Sequence, residues 1–438
     1  MRALPRWQRA AFALLILLYA SFLPFGRGPL HDVRRPGVEP RDQGSIWAPL
    51  SVDAGYLIRH SPGLDFYSIY NAGSRVLAGL DPYGSDADPP LRAPYKTTFR
   101  YLPVTAYWLG VPLNALPPEP AWKAWVALLW LMPVAGFLAC AGRRPGLLWV
   151  FALLWFCWFP LVPEFHLGQF TLFMATLLFW FALRLFEGGR LAGAAWVLGA
   201  LVKVYPLGFA LLLWSWGRRR AVVVAFALAV PPLAYFAATP SGLSEGLGGA
   251  GVRGRLVGAM DVPYAGAQGV QALVNVLAWK AQGLAMLPPG GFERLAPGRD
   301  PVAYASAAII LLWGALCVWA WWRTRRAPDE AALAIFWLTW FVVFRDAWEH
   351  HTALVQALAA FLLVRGRISA RLALLVWCAA GAPSLWYFWQ KAGYTGNILA
   401  ESLGVAYFVQ RPVATLALAA AMVASLRRIH PAGPGVTE

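Results

Sequence analysis

Residues 64–103 read LDFYSIYNAGSRVLAGLDPYGSDADPPLRAPYKTTFRYLP, a polar and aromatic stretch inside a chain that is otherwise mostly apolar. From Phe66 the apolar side chains recur at Phe66, Ile69, Tyr70, Val76, Leu77 and Leu80, one stripe of a helix whose other face carries Ser68, Asn71, Ser74 and Arg75. Such a helix is too polar to span a bilayer and suits its surface, with the aromatic edge among the headgroups. Asp65 is then at the water boundary. Gly79 closes the helix in the left-handed conformation, and Pro82 in Asp81-Pro82-Tyr83-Gly84 stops it continuing, so Asp81 reads as punctuation.

Around this stretch the composition leaves one class open. Hydrophobic residues make up 59% of the 438 and charged residues only 13%, a balance that a soluble domain could not hold in solution. The expectation is an all-α polytopic membrane protein. A net charge of +16 would point to nucleic acid in a soluble chain. Here most arginines stand in short clusters between apolar runs, which is the signature of topology and not of a nucleic-acid surface. Cys140, Cys157, Cys317 and Cys378 lie in or beside apolar runs without CxxC spacing, so neither disulfides nor a zinc site is expected.

The first run, 10–25, follows Arg2, Arg6 and Arg9 and reads as an uncleaved anchor. Further runs lie near 122–141, 147–163, 169–186, 191–202, 204–216, 221–238, 301–322, 331–346, 352–364, 370–389 and 405–424, giving about twelve crossings. The run 104–116 is shorter than the ~20 residues a crossing needs. Read as a juxtamembrane or re-entrant element, it leaves the clusters Arg143-Arg144, Arg190, Arg218 to Arg220, Arg323/Arg325/Arg326, Arg365/Arg367 and Arg427-Arg428 on the cytoplasmic side. Both termini are then cytoplasmic. The runs 191–202 and 204–216 meet at Lys203-Val204-Tyr205-Pro206 like two half-buried helices breaking at the outer side. Residues 1–430 form one membrane domain with outer loops at 27–118 and 239–300, and 431–438 is a disordered tail.

This topology sends Asp65, the turn Pro163 to Gln169, Lys203, the segment 239–300, the turn Arg345 to His351 and residues 390–404 to the outer side. The cytoplasmic connections hold no Walker or Rossmann glycine loop for a nucleotide. Chemistry therefore belongs outside, and an activated substrate there has to be a lipid.

Asp65 has two compatible readings, a helix N-cap and a general base. Lys203 either snorkels to the interface or holds a lipid phosphate. In Arg345-Asp346-Ala347-Trp348-Glu349-His350-His351 the arginine can pair with Asp346 or Glu349. No HxxxH or HExxH spacing is present, so a histidine meeting a phosphate or sugar hydroxyl is favoured over a metal pair. No cofactor is assigned, and a divalent metal stays open. Gly168-Gln169 would place backbone amides and a side-chain amide at the outer face. A sugar leaving a lipid phosphate needs no acid for its leaving group, so one carboxylate and a set of cations suffice; glycoside hydrolysis normally needs two carboxylates.

Three sets of residues, Asp65-Phe66-Tyr67-Ser68-Ile69-Tyr70, Gly79-Leu80-Asp81-Pro82-Tyr83 and Phe99-Arg100-Tyr101-Leu102-Pro103, resemble the first outer loop of glycosyltransferase family 87. The likeness continues through Gly168-Gln169, Gly199 with Lys203-Val204-Tyr205-Pro206, and Trp348-Glu349-His350-His351. It implies a GT-C fold similar to polyprenol-phosphate-mannose-dependent α-1,2-mannosyltransferases. Asp65 would be the base, with a histidine of the Trp348 to His351 turn near the donor. Lys203, Arg100, Tyr101, Tyr67, Gln169, Glu349, His350 and His351 are the substrate-binding candidates. The chain differs from the family pattern at Ala267-Gln268-Gly269, where Asn-Gln-Ser is frequent, and at Thr171, where Asn is usual.

The expected activity is transfer of a hexose, with mannose first, from a polyprenyl phosphate to a glycan or glycolipid acceptor at the outer face of the inner membrane, with inversion. The rivals are a transporter or flippase, which would carry charges at mid-depth on several helices, and a ligase or polymerase acting on a diphosphate-linked oligosaccharide.

Overall fold

The computed structural model describes residues 6–22, 63–83, 99, 101, 103–189, 192–203, 205–237, 269–281, 283, 299–344, 347, 349–393 and 397–428. All regular structure among them is helical. Arg100, Arg345, Asp346 and Trp348, the stretch Ala267-Gln268 and the tail 431–438 lie outside the described residues.

After α1 (Arg6–Ser21), α2 covers Leu64–Leu77 and α3 covers 103–113, where Ala106–Gly110 widen into a π turn. Then come α4 (Pro118–Arg143), α5 (Leu148–Phe156), α6 (Leu161–Leu167), α7 (Thr171–Phe186) and α8 (Ala192–Val202). A 3-10 turn Tyr205–Phe209 leads to α9 (Ala210–Ser215) and α10 (Arg219–Ala237). The second half holds α11 (Val270–Ala281), α12 (Arg299–Thr324) and α13 (Glu330–Val343), then a 3-10 turn Glu349–Thr352 and α14 (Ala353–Val364). The chain closes with α15 (Ala370–Val376) and its π extension Trp377–Gly381, α16 (Trp386–Lys391) and α17 (Ile398–Arg428).

The core forms around α7 and α14, which pack on each other. Every residue of α14 from Ala353 to Val364 is buried. A helix apolar all round has no wet face to offer, so it takes the centre. The outer helices expose what a lipid-facing surface exposes: on α12 Leu311 is 72% and Leu312 71% accessible. Pro118–Arg143, Tyr304–Thr324 and Ile398–Arg428 are each long and apolar enough to cross a membrane, and the bent pair Pro145–Phe156 and Leu161–Leu167, at 46°, adds a fourth if counted as one span.

Among the described residues that is fewer than the crossings expected from the apolar runs. Much of what remains folds into apolar helices of 10–17 residues, about 15–26 Å at 1.5 Å per residue and short of a ~30 Å hydrocarbon core. Breaks at 157–160 and at 382–385 interrupt the runs 147–163 and 370–389, which hydropathy joins. Two loop assignments also change. The Pro163 to Gln169 turn is mostly helix, within α6, and only Gly168 to Phe170 turn. The segment 239–300 contains α11, packed on α12, α13 and α17.

The larger correction concerns α2. It presents no aromatic edge to headgroups, because Phe66 to Gly73 are all buried, on every side of the helix. α3 crosses its Ile69–Gly73 side so closely that a Cβ on Gly73 would stand 2.0 Å from the carbonyl carbon of Gly110. Asn114 stitches the crossing by donating to the carbonyls of Tyr70 and Gly110, both at 2.8 Å. The helix ends as read: Gly79 has φ +71° and Leu80 N donates back to Arg75 O at 2.9 Å. Asp81 accepts from Tyr83 N at 2.9 Å, a turn role.

Chain direction sorts the two ends of the bundle. α4 and α7 finish together at the Arg143–Glu187 pair, 2.6 Å. α13 begins and α14 finishes at Glu330, which Arg365 and Arg367 both reach, at 2.8 and 2.5 Å. Arginines thus gather at this end. The other end holds Thr171, Lys203 and the Glu349–Thr352 turn.

Gly73→Ala should force α2 and α3 apart at a cost of about 1–3 kcal/mol, read as a lower melting temperature in detergent. Gly142→Ala, whose Cβ would meet nothing within 4 Å, should leave it unchanged.

Candidate functional site

Gly168 builds the site's floor. Its φ of +64° ends α6, and a Cβ there would lie 2.3 Å from the Trp122 ring and 2.8 Å from Phe66 Cβ, so the position takes glycine on both counts. Trp125 Nε1 donates to its carbonyl at 3.1 Å, and Trp125 lies tilted by 34° against Phe170 with ring centres 4.4 Å apart. The loop 168–170 is therefore clamped between aromatic rings from α2 and α4, and Gln169 has little freedom.

Gln169 uses its side-chain amide to donate to the Asp65 carboxylate. Asp65 is not the N-cap of α2. That place belongs to Gly63, φ +86°, whose N–H donates to His166 O at 2.7 Å and so ties the helix entry to α6. Asp65 is two residues further in and half-buried, its carboxylate meeting the Gln169 amide of the Gly168-Gln169 loop.

The other end of that loop carries a cation. Lys203 Nζ donates to Thr171 Oγ1 at 2.7 Å and stands 3.2 Å from His351 Nε2. An ammonium has only donors, so His351 Nε2 meets it as an acceptor and the ring proton sits on Nδ1. Lys203 is 9% exposed. Its corner is braced from α3, where Thr105 Oγ1 lies 3.3 Å from the last carbonyls of α8, Leu201 and Val202. The helix break anticipated at Lys203 to Pro206 is thus present, with the lysine turned inward.

His350 and His351 lie in the Glu349–Thr352 turn with ring centres 4.2 Å apart. Burial, and after it the Lys203 charge, holds the His350 imidazole well below its usual range, so it is neutral. Glu349, counted among the substrate-binding residues, is instead paired inside the protein: Arg411 Nη2 reaches it at 2.8 Å with both side chains 1% exposed. Arg411 also donates to Ala379 O at 3.0 Å. The pair fastens the histidine turn to α17.

Tyr67 likewise serves the scaffold. Two positions on from Asp65 it points to another side of α2, fully buried against Trp122. Burial, then Glu119 and Tyr70, pushes its phenol well above the usual range. Tyr101 is nearer the site, its ring edge-on to Phe170 at 6.2 Å, and its carbonyl accepts from Tyr83 at 2.5 Å.

Sequence reasoning missed two residues. Glu164 is 0% exposed, below the Gly168-Gln169 loop, and its Oε2 accepts from Leu172 N at 3.2 Å. Arg411 is the other. Both were visible as ionisable residues inside apolar helices, the pattern that marks function or a buried partner. Among the described residues no group of three or more His, Cys, Asp and Glu side chains is set to hold a metal ion.

A carboxylate, an amine and two imidazoles are thus collected at one end of an apolar helical bundle. The chain belongs to glycosyltransferase family 87, whose model matches residues 99–344, more than half its length. It is therefore a glycosyltransferase. The matched stretch contains Tyr101, Glu164, Gln169, Thr171 and Lys203; Asp65 and His351 lie outside it and are joined to it by the contacts above. No curated protein matches the chain.

Arg411→Met should leave Glu349 buried without its partner and destabilise the protein by roughly 3–5 kcal/mol. Adding Glu349→Gln should recover most of that loss in a thermal melt, since the unpaired charge is then gone.

Proposed function

We propose that this protein moves a hexose, taken as mannose, from a polyprenyl phosphate to a glycan or glycolipid acceptor at the outer face of the membrane, on a GT-C scaffold. The observation that carries this reading is the clamped loop Gly168 to Thr171. It presents Asp65 through Gln169 at one end and Lys203 with His351 through Thr171 at the other.

Those groups match the two ends of the bond to be broken. The acceptor hydroxyl attacks the anomeric carbon and passes its proton to the Asp65 carboxylate. The bond from that carbon to the phosphate oxygen breaks, and its electron pair leaves with the phosphate. No acid is needed for that departure, because the phosphate is stable as an anion. Lys203 meets its growing charge in a site shielded from water, where a cation acts more strongly than in solution. The neutral histidines offer donors to phosphate or sugar without a second buried charge to desolvate. A single displacement inverts the anomeric centre. Arg100, Tyr101 and Gln169 belong to the same proposal as substrate-binding residues.

The placement of the site follows from its separation from the arginine-rich end. With positive residues retained on the cytoplasmic side, the Asp65 end faces out, where a polyprenyl-linked sugar is the activated donor at hand and no nucleotide is required. Residues 1–430 then act as one membrane domain of the inner membrane.

Asp65→Asn should reduce transfer from polyprenyl-phosphate mannose by at least about 10³-fold, within the range for loss of a positioned base, while binding of the donor stays within about twofold. Product formation with radiolabelled donor and a lipid extract measures the first, and filter binding the second. Full transfer by this variant would remove Asp65 from the mechanism; no product from any monosaccharide-phosphate donor with the wild-type protein would remove the donor class.

A further inference from the structure

The arginine-rich end of the bundle holds a half-open cavity that the mechanism above does not use. Its volume is about 560 Å³, and Arg367, Ala421, Ala424, Ser425 and Arg428 line it. That volume falls in the ~300–1,000 Å³ range of small-molecule sites. Four of the five residues stand at positions i, i+3, i+4 and i+7 of α17 and so share one face of the helix. Further along, α17 exposes the large side chains Ile398, Leu399, Val413 and Leu416. Here it offers two alanines and a serine, and the hollow beside Arg367 is the space that they leave.

The walls supply donors that the protein itself does not use. Arg367 gives Nε and Nη2 to Glu330 Oε2, at 3.1 and 2.5 Å, and Nη2 also lies 3.5 Å from Asp329 Oδ2. Its Nη1 has no hydrogen-bond partner among the described residues, and neither the Ser425 hydroxyl nor the Arg428 guanidinium has one. Positive charge is in surplus as well. Glu330 is held by Arg365 and Arg367, and Asp329 caps α13 by accepting from Ala331 N and Ala332 N. Arg144 reaches the same connection from the end of α4: a Cβ on Gly366 would stand 2.6 Å from its Nη2. Among the described residues, the guanidiniums of Arg144, Arg365, Arg367 and Arg428 are thus set against only the carboxylates of Asp329 and Glu330. An anion is what this cavity lacks. Guanidiniums match phosphate oxygens in geometry, and a serine hydroxyl adds one more donor.

The place of the cavity says which phosphate. α17 is long and apolar enough to cross a membrane, and it ends at Arg428. The cavity therefore lies where a span meets the headgroups. From Arg428 back to Ala421 its wall passes from charged to apolar over about 10 Å, at 1.5 Å per residue. Such a gradient suits an amphiphile, with its phosphate beside Arg428, Ser425 and Arg367 and its ester region along Ala424 and Ala421. A free phosphate would use the charged mouth alone.

We infer that this cavity binds the phosphodiester of an anionic phospholipid in the leaflet at the arginine-rich end. The bound headgroup joins the Arg365 to Arg367 connection to the end of α17. The site rests on the membrane-spanning reading of the helices and is independent of the sugar donor and of Asp65.

Native mass spectrometry of the full-length protein, released from detergent with phosphatidylglycerol or phosphatidylcholine of the same chains added, counts the lipids retained. One phosphatidylglycerol should be retained at a concentration roughly tenfold below that needed for phosphatidylcholine, as two surplus cations near a surface supply. Arg428→Gln should weaken this retention about tenfold, the low end for loss of a hydrogen bond to a charged group. Ala424→Leu, which fills the cavity and leaves every charge in place, should weaken it at least as much. Arg220→Gln removes an exposed arginine outside the cavity and should change it by less than about twofold, because a distant charge is screened.

Equal retention of the two lipids, or equal loss in Arg220→Gln and Arg428→Gln, would overturn the site and leave diffuse surface charge in its place. Should millimolar inorganic phosphate displace phosphatidylglycerol, where chloride at matched ionic strength does not, the cavity takes free phosphate and the lipid assignment is rejected. Melting temperatures in detergent show that the variants are folded. Should Ala424→Leu fail to fold, the comparison of Arg428→Gln with Arg220→Gln decides, since both residues are exposed.

Discussion

The arrangement depends on a lysine ammonium kept out of water at the broken end of a short helix. Lys203 cannot be there without acceptors, and each acceptor comes from a different part of the chain: Thr171 opens α7, and His351 belongs to the turn before α14. Meeting one cation therefore fixes three helix ends relative to one another. The Glu349–Arg411 pair adds a fourth, because it holds the histidine turn to α17. Charged groups in an apolar bundle are costly singly, and their mutual satisfaction is what makes this arrangement specific.

The scaffold explains why that end can be polar at all. α14 is apolar on every face and fills the centre, while the pairs Arg143–Glu187 and Arg365–Glu330 terminate helices at the opposite end. Charge is thereby divided by place: ion pairs where helices finish, and a second buried set where they break. The aromatic clamp around Gly168 gives the second set its precision. Phe66, Trp122, Trp125 and Phe170 leave the loop no room to move, and so the Gln169 amide reaches Asp65 from a fixed direction.

Much of this was legible in the sequence. Apolar composition and arginine spacing disclosed a helical membrane protein, and the ordered motifs disclosed the family. The break at Lys203 to Pro206 and the closure of α2 at Gly79 followed from local rules for proline and glycine. The depth of α2 was not legible, because its amphipathic stripe is identical for a helix on a lipid surface and one wedged under a neighbour. What decided the matter was a tertiary contact, the Gly73–Gly110 crossing. Helix lengths were not legible for a related reason: hydropathy sums over breaks, such as 157–160, that the backbone makes. The pairing of Glu349 was not legible because its partner Arg411 lies sixty-two positions away, and the burial of Glu164 was not legible because it falls in a stretch read as a turn that the structure makes helix.

The central claim is that Asp65 and Lys203 act on opposite sides of one scissile bond. The most direct measurement is an experimental structure of the protein holding a non-transferable polyprenyl-phosphate-mannose analogue. The account predicts the phosphate within hydrogen-bond reach of Lys203 Nζ, with the anomeric carbon turned toward Asp65 and room for an acceptor oxygen between them. A phosphate bound at the arginine-rich end, or a sugar facing away from Asp65 with Lys203 still joined only to protein groups, would contradict it.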